Sequence, residues 1–481
     1  MSRKAAFVSI VVALALSAAA YLLLVERTPP TPTGTLLDFI GGDARALTIK
    51  RRDGTIERTE AVGDGSVWQV LYRPAGSDAS HAWPASPTQV RSAMRILSTL
   101  APIAVAQPGA EPDADGVAVE LLLDDGTTRA MKLGSRMLSG RVLVELTDPG
   151  PLRPDLKGKV YWTDGAISQM LVATGLRAWR ETTVFPNLGR EASRVKLTGA
   201  GGTIVLARVG GAWAMREPVA APADERAVVM LLNALAAMRV TDFGDGDRGL
   251  PEPTGNLPPL ASLVVESDAR EAAGDGFVTR TSIHEAEFAA VVGLAGDQVL
   301  VRTRRRSETR GAGGAPEVAA ATESAFTTTL AGVAAIPSSP EALVARASCR
   351  TRAGDAGGLL IRRGSIERTL ARTIDGWAES KHGGERVPLP KEDADAANAL
   401  VKFLCEAPAD AVRLAQPEGW KAAWAIELRT LGGEPLEQTE IAVAPPSTES
   451  GPSGTITIRA GSVWRMYAST DAAAIMRRLL P

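Results

Sequence analysis

Residues able to do chemistry are few in this chain and far apart. Its 481 residues include three histidines, His81, His284 and His382, and two cysteines, Cys349 and Cys405. A metal or acid–base centre built on the histidines needs a fold that gathers positions distant in sequence. Asp113 with Asp115, and Asp245 with Asp247, have the alternate spacing of calcium ligands. Neither pair continues into the full acidic loop with its distal glutamate, so acidic turns are the simpler expectation. SRVK, Ser193 to Lys196, has the spacing of the nucleophile and lysine in penicillin-recognising serine enzymes. That chemistry requires a helix start, whereas SRVKLTG alternates like a strand and no companion motif follows. No Walker, H-E-x-x-H, paired C-x-x-C or G-x-S-x-G pattern occurs. The residues therefore point to no catalytic, cofactor or metal site, and we expect a non-enzymatic chain. The two cysteines could pair in an oxidising compartment, or be two small buried groups.

Tryptophan supplies 9 residues against 8 Phe and 4 Tyr, an unusual share that marks these rings as anchors. Three of them, Trp68, Trp213 and Trp377, follow similar segments. GTIERT, Gly54 to Thr59, precedes Trp68, and GSIERT, Gly364 to Thr369, precedes Trp377. GTIVLA, Gly202 to Ala207, precedes Trp213 without the Glu-Arg pair. Exposed, the three rings would form a platform for sugars. A ring ahead of an amphipathic helix in each copy reads more simply as a plug between helix and sheet. Glu57-Arg58 and Glu367-Arg368 are strand neighbours on opposite faces, suited to cross-strand charge pairs rather than one site.

Each copy begins as a strand, a turn and a second strand, continues into the Trp strand, and reaches a proline-led helix. Counted from Pro87, Pro222 and Pro390, the same offsets give Met94, Leu97 and Leu100; Val229, Leu232 and Leu235; and Ala397, Leu400 and Phe403. Ser86 is placed to cap the first helix, Val90 extends its apolar face, and Met238 extends the second. Antiparallel strands and a short closing helix follow. The pattern predicts an α+β fold of three repeated units, each a mostly antiparallel sheet with packed helices, over 46–186, 187–340 and 341–481. RTRRRSETRGAGGAPE, Arg302 to Glu317, reads as a solvated hairpin tip with a Gly-rich insertion, or else as a contact for an acidic polymer.

Ahead of the units, Ala5 to Val25 is apolar and uncharged, long enough to cross the roughly 30 Å of a bilayer core. Arg3 and Lys4 then keep the N-terminus cytoplasmic, so 1–27 reads as a single-pass anchor. Ser17 to Ala20 resembles a signal-peptide cleavage site, but apolar residues run on past it. Residues 28–45 are a spacer opening on the proline-rich TPPTPTG, which lifts the units off the membrane. Net charge is -2 and pI ≈ 6.1, giving no field to attract nucleic acid.

The segment from Trp213 to Leu235, WAMREPVAAPADERAVVMLLNAL, resembles the DUF4340 family of bacterial envelope proteins. RGLPEPTGNLPPLASLVVES, Arg248 to Ser267, resembles the segment that follows it there. The third unit departs from the pattern, with KHGGERVPLPKEDAD in place of PVAAPADE. The resemblance implies a single-span inner-membrane protein with its bulk outside the cytoplasm, accessory to an ABC-2 type exporter or envelope assembly. Members have no established catalytic residues to carry over. The expected role is a scaffold for protein partners in the envelope; a glycan- or lipid-binding module, or a hydrolase with a site assembled across units, are the alternatives.

Overall fold

The computed structural model describes residues 16–17, 33–62, 67–78, 80–186, 188, 191–244, 250, 259–273, 276–290, 294, 296–310, 317–318, 321–381, 385–443, 456–468, 474–475 and 478–479. All of the anchor but Leu16 and Ser17 and all but the last residues of TPPTPTG, together with His382, Asp245, Asp247 and the Gly-rich part of Arg302–Glu317, lie outside these. Among the described residues no helix is long and apolar enough to cross a membrane. The chain divides into two compact units, one of residues 1–182, 245–249 and 318–325, the other of the remainder.

Among the described residues, three sheets of nine strands each make up the fold. The first holds β1 (Ala44–Arg51), β2 (Ile56–Val62), β3 (Val67–Arg73), β4 (His81–Pro84), β5 (Ala104–Val105), β6 (Val117–Leu123), β7 (Thr128–Leu133), β8 (Arg141–Asp148) and β9 (Val160–Asp164). The second holds β10 (Ala192–Gly199), β11 (Gly202–Val209), β12 (Ala212–Glu217), β13 (Ala221–Pro222), β14 (Ala261–Ala273), β15 (Gly276–Ala289), β16 (Gln298–Arg310), β17 (Glu317–Val318) and β18 (Thr322–Thr329). The third holds β19 (Gly358–Arg363), β20 (Ile366–Thr373), β21 (Gly376–Ser380), β22 (Arg386–Pro388), β23 (Ala411–Arg413), β24 (Trp424–Arg429), β25 (Pro435–Val443), β26 (Ile456–Ala460) and β27 (Val463–Tyr467). The first is ordered β4-β3-β2-β1-β6-β7-β8-β9-β5 and the third β22-β21-β20-β19-β24-β25-β26-β27-β23, the same path. The second shares the opening, β13-β12-β11-β10-β14-β15-β16. The pairings within these paths are antiparallel, and a helix follows the fourth strand of each: α1 (Pro87–Ser98), α2 (Glu225–Ala237) and α3 (Lys391–Glu406). The repeated α+β fold expected from the sequence is present three times.

The helices show where counting from proline misleads. Pro87 does open α1, but Pro222 lies on β13 and Pro390 is the N-cap of α3. Ser86 takes the N-cap place in α1 without a side-chain cap bond, while Asp224 caps α2 by accepting from the Ala227 amide at 3.0 Å. Counted from the N-caps, Val90, Ala93, Leu97 and Leu100 correspond to Val228, Leu231, Leu235 and Met238, all buried. Val229, expected on the apolar face, is 47% exposed instead. In α3 the same slots hold Ala394, Ala397, Val401 and Leu404, the last three buried.

The hexapeptides show a second displacement. In the third sheet Arg363 pairs with Ile366 across a two-residue turn, and in the second Gly199 pairs with Gly202 across another. In the first sheet Lys50 pairs with Ile56 and the Arg51 amide donates to the Thr55 carbonyl at 2.9 Å, leaving a three-residue turn, Arg52 to Gly54. Inward Ile49, Leu197 and Ile361 mark the same place, each paired on its other side with buried Val119, Leu263 and Ile426. Opposite them stand Glu57, Ile204 and Arg368. Because strand faces alternate with a period of two, one extra turn residue puts the same letters on opposite faces. Glu57 is inward and buried, whereas Glu367 is exposed and pairs with Arg362 across the hairpin at 2.8 Å.

The tryptophans align by hydrogen bonding. The carbonyls of Trp68, Trp213 and Trp377 accept from the amides of Ala85 (2.8 Å), Ala223 (3.1 Å) and Leu389 (2.9 Å), just before each helix. Trp213 and Trp377 are buried plugs, and Trp377 donates from Nε1 to Asn398 of α3 at 2.8 Å. Arg208 and Arg372, their cross-strand partners, each lie over the ring at 5.4 Å. Trp68 is only half-buried and faces Ala61 across the ladder. Replacing Trp213 or Trp377 with Ala is expected to cost ~3–5 kcal/mol in urea unfolding, and Trp68→Ala distinctly less. Equal losses at all three positions would contradict this division.

Candidate functional site

The residues singled out by type are engaged locally. Exposed His81 on β4 stacks between Tyr72 and Trp83, at 6.5 and 5.7 Å, with Arg177 over Tyr72 and Arg180 over Trp83. His284 on β15 belongs to the other unit, paired with Val265 on one side and Arg305 on the other. Burial, and then the Arg305 guanidinium, pull its pKa down to about 3, so the ring is neutral. Asp113 accepts from the Ser135 hydroxyl (2.6 Å) and from the amides of Ser135 (2.8 Å) and Arg136 (2.9 Å). Burial raises its pKa, but these hydrogen bonds outweigh it and leave the carboxylate below its ordinary value. Asp113 thus fastens a turn, and the amide of Asp115 donates to it. Among the described residues no group of three or more His, Cys, Asp or Glu is placed to hold a metal ion.

Ser193 and Lys196 lie on β10, as the alternation predicts; their odd separation on a strand puts them on opposite faces. Arg302 to Arg310 corrects the hairpin-tip expectation, for these residues lie within the long strand β16. Arg306 pairs with Glu285 at 2.8 Å, and buried Arg305 donates to the Val184 carbonyl at 3.2 Å. Their charge is spent inside the sheet.

Among the described residues, three of the clefts open on the first sheet. The cleft of ≈ 330 Å³ at Lys50, Arg52, Asp113 and Lys132 is basic, but Lys50 and Lys132 are already paired with Glu120 (2.8 Å) and Glu145 (2.9 Å). A cleft of ≈ 290 Å³ has Trp68, Arg45, Arg91 and Asp124 around it. The third, ≈ 360 Å³, is lined by Gln107, Ala110, Leu138, Ser139, Arg141 and Trp162.

This third cleft is built by sheet order. β9 brings half-buried Trp162 beside the terminal strand β5, and the amide of Ile103 donates to the Trp162 carbonyl at 2.7 Å. From the other side comes the turn before β8, where Leu138 and Arg141 exchange backbone hydrogen bonds of 2.8 and 3.0 Å. Ser139 and Gly140 both take positive φ there, 49° and 75°, the mark of a tight two-residue turn. Leu138 is thereby held 65% exposed, and Met137 before it is 53% exposed. Met137 sits directly over Gly165, where a Cβ would meet its sulfur. The contributing segments are distant in sequence, so no local pattern announced the cleft; only the β8-β9-β5 order joins them.

Residues 152–255 match the family model of DUF4340, a domain of unknown function. The matched segment is a DUF4340 domain. The match starts ahead of β9 and runs through the second hairpin, Trp213 and α2, so it includes the Trp213–Leu235 segment. It stops short of β14, inside the Arg248–Ser267 segment. No curated protein matches the chain that carries this DUF4340 domain.

Neutral His284 has a pH signature. A folded-state pKa depressed below the unfolded value of about 6.5 means the unfolded chain binds the proton first. The stability this contributes is complete above about pH 6.5 and falls as pH drops toward 3. Between pH 7.5 and 4.5 urea unfolding should lose ~2 kcal/mol that His284→Gln does not lose. Equal pH dependence in both proteins would refute the assignment.

Proposed function

We propose that the chain is a membrane-tethered, non-enzymatic scaffold on the extracytoplasmic side of the inner membrane, binding protein partners of an ABC-2 type exporter or envelope assembly. The apolar run Ala5–Val25 and the family resemblance support the tether and compartment. The single observation that carries partner binding is exposed Leu138 lining the Trp162 cleft, with exposed Met137 before it. Large side chains held out by a tight turn beside an aromatic ring and an arginine have the composition of a protein-binding hot spot. Arg141 at the cleft favours a partner segment that pairs an apolar anchor with a carboxylate.

The Trp68 cleft supports a second reading, a glycan-binding module. A half-buried indole with two arginines and Asp124 around it suits a sugar ring bearing an acid. Burial of Trp213 and Trp377 confines this reading to the first unit and rules out a platform of three rings.

A photo-crosslinker at Leu138 in membranes is expected to capture a discrete protein that the same probe at Ile374, an exposed turn residue, does not. Leu138→Asp should lower co-purification of that protein by tenfold or more. Identical capture from both positions, or none from Leu138, would overturn the proposal.

A further inference from the structure

Two thiols in the second unit meet at the end of α3. Cys349 is 5% exposed and packs in the third sheet's core, with half-buried Cys405, in the last turn of α3, against it. The amide of Cys349 donates to the Leu404 carbonyl at 2.9 Å, fixing its backbone beside the neighbour of Cys405. Hydrogen bonding between the two thiols holds Cys405 below the usual cysteine range; it and burial push Cys349 well above.

The segment bearing Cys349 is pinned along its length. Buried Arg465 donates from Nε to the Ala345 carbonyl at 2.9 Å, and the Tyr467 hydroxyl to the Arg346 carbonyl at 3.3 Å. Ser348 and Tyr467 share a hydrogen bond of 2.7 Å. Glu437 accepts from the amides of Arg350 and Thr351, both at 2.8 Å. Arg465, Tyr467 and Glu437 thus hold the segment against the sheet, and α3 is held by Leu400, Val401 and Leu404. The thiols are positioned before any covalent step, which removes the main entropic obstacle to joining them.

We infer that Cys349 and Cys405 form a dithiol site that closes to an intrachain disulfide on reaction with a disulfide oxidant, joining the end of α3 to the 345–351 segment. The more accessible Cys405 thiolate attacks one sulfur of the oxidant, breaking its S–S bond and releasing one thiolate. Cys349 then loses its proton and attacks the Cys405 sulfur of the mixed disulfide, expelling the second thiolate. Two electrons pass to the oxidant, which leaves as two thiols.

Glutathione disulfide applied to the full chain, followed by denaturation and maleimide counting, tests this. Both thiols should disappear together in a monomer lighter by two hydrogens, with a higher Tm that dithiothreitol reverses. Cys349→Ser should accumulate one stable glutathione adduct on Cys405, and Cys405→Ser should leave buried Cys349 at least tenfold slower to react than Cys405 in Cys349→Ser. A stable adduct on the unaltered chain, an interchain dimer, or two thiols that persist would each overturn the inference.

Discussion

The opening hairpin of each repeat has one inward position whose occupant must be compatible with the interior. In the first sheet it is Glu57, 1% exposed. A carboxylate there is tolerable only with its charge and lone pairs answered. Arg51 lies at 3.4 Å and Arg177 at 3.8 Å, and the Leu176 amide donates at 2.5 Å. Gly175 makes that approach possible: with φ at 73°, any Cβ would collide with the Glu57 carboxylate. In the third sheet the position holds Arg368, answered by the Leu479 carbonyl at 2.8 Å, Glu379 at 3.2 Å and Asp393 at 3.5 Å. In the second it holds Ile204, in the same apolar cluster as Val333 of the closing helix. In the first and third sheets, therefore, polar contacts tie the first hairpin to the closing segment: an acid meeting an amide in one, a cation meeting a carbonyl in the other.

Much of this architecture was legible from alternation and helical spacing. The hairpin, the Trp strand and the helix appear in order three times, and the rings of Trp213 and Trp377 serve the core as expected. Facing was harder to read. GTIERT and GSIERT share their letters, yet Asp53 adds a residue to one turn, and with it Glu57 and Glu367 part to opposite faces. Turn length, rather than strand identity, decides that outcome. On the helix faces Val229 alone of the nine expected positions is exposed. Pro87, Pro222 and Pro390 occupy three different places relative to their N-caps, so spacing from proline falls one residue past buried Val228. The Trp162 cleft was hidden more deeply, because Gln107, Leu138 and Trp162 become neighbours only through sheet order.

A unit whose interior accepts an acid, an aliphatic side chain or a cation at one position can be repeated while its surfaces diverge. The first sheet carries the apolar rim and the half-buried Trp68; the third gathers Trp420, Trp424 and Trp464 with Arg363 and Arg459 over their rings. Repetition of the frame with variation of what it displays suits a chain proposed to hold partners rather than to transform substrates.

The three-residue turn Arg52–Gly54 sets the facing of the second strand and so buries Glu57. Urea unfolding of the chain lacking Asp53 tests it most directly, with Asp53→Asn as the variant that keeps the turn's length. Deletion is predicted to lower the unfolding midpoint at least as far as Glu57→Ala does, and to make Glu57→Ala nearly silent when the two are combined, while Asp53→Asn leaves the midpoint close to that of the unaltered chain. A deletion that leaves the midpoint unchanged, or that adds fully to Glu57→Ala, would contradict it.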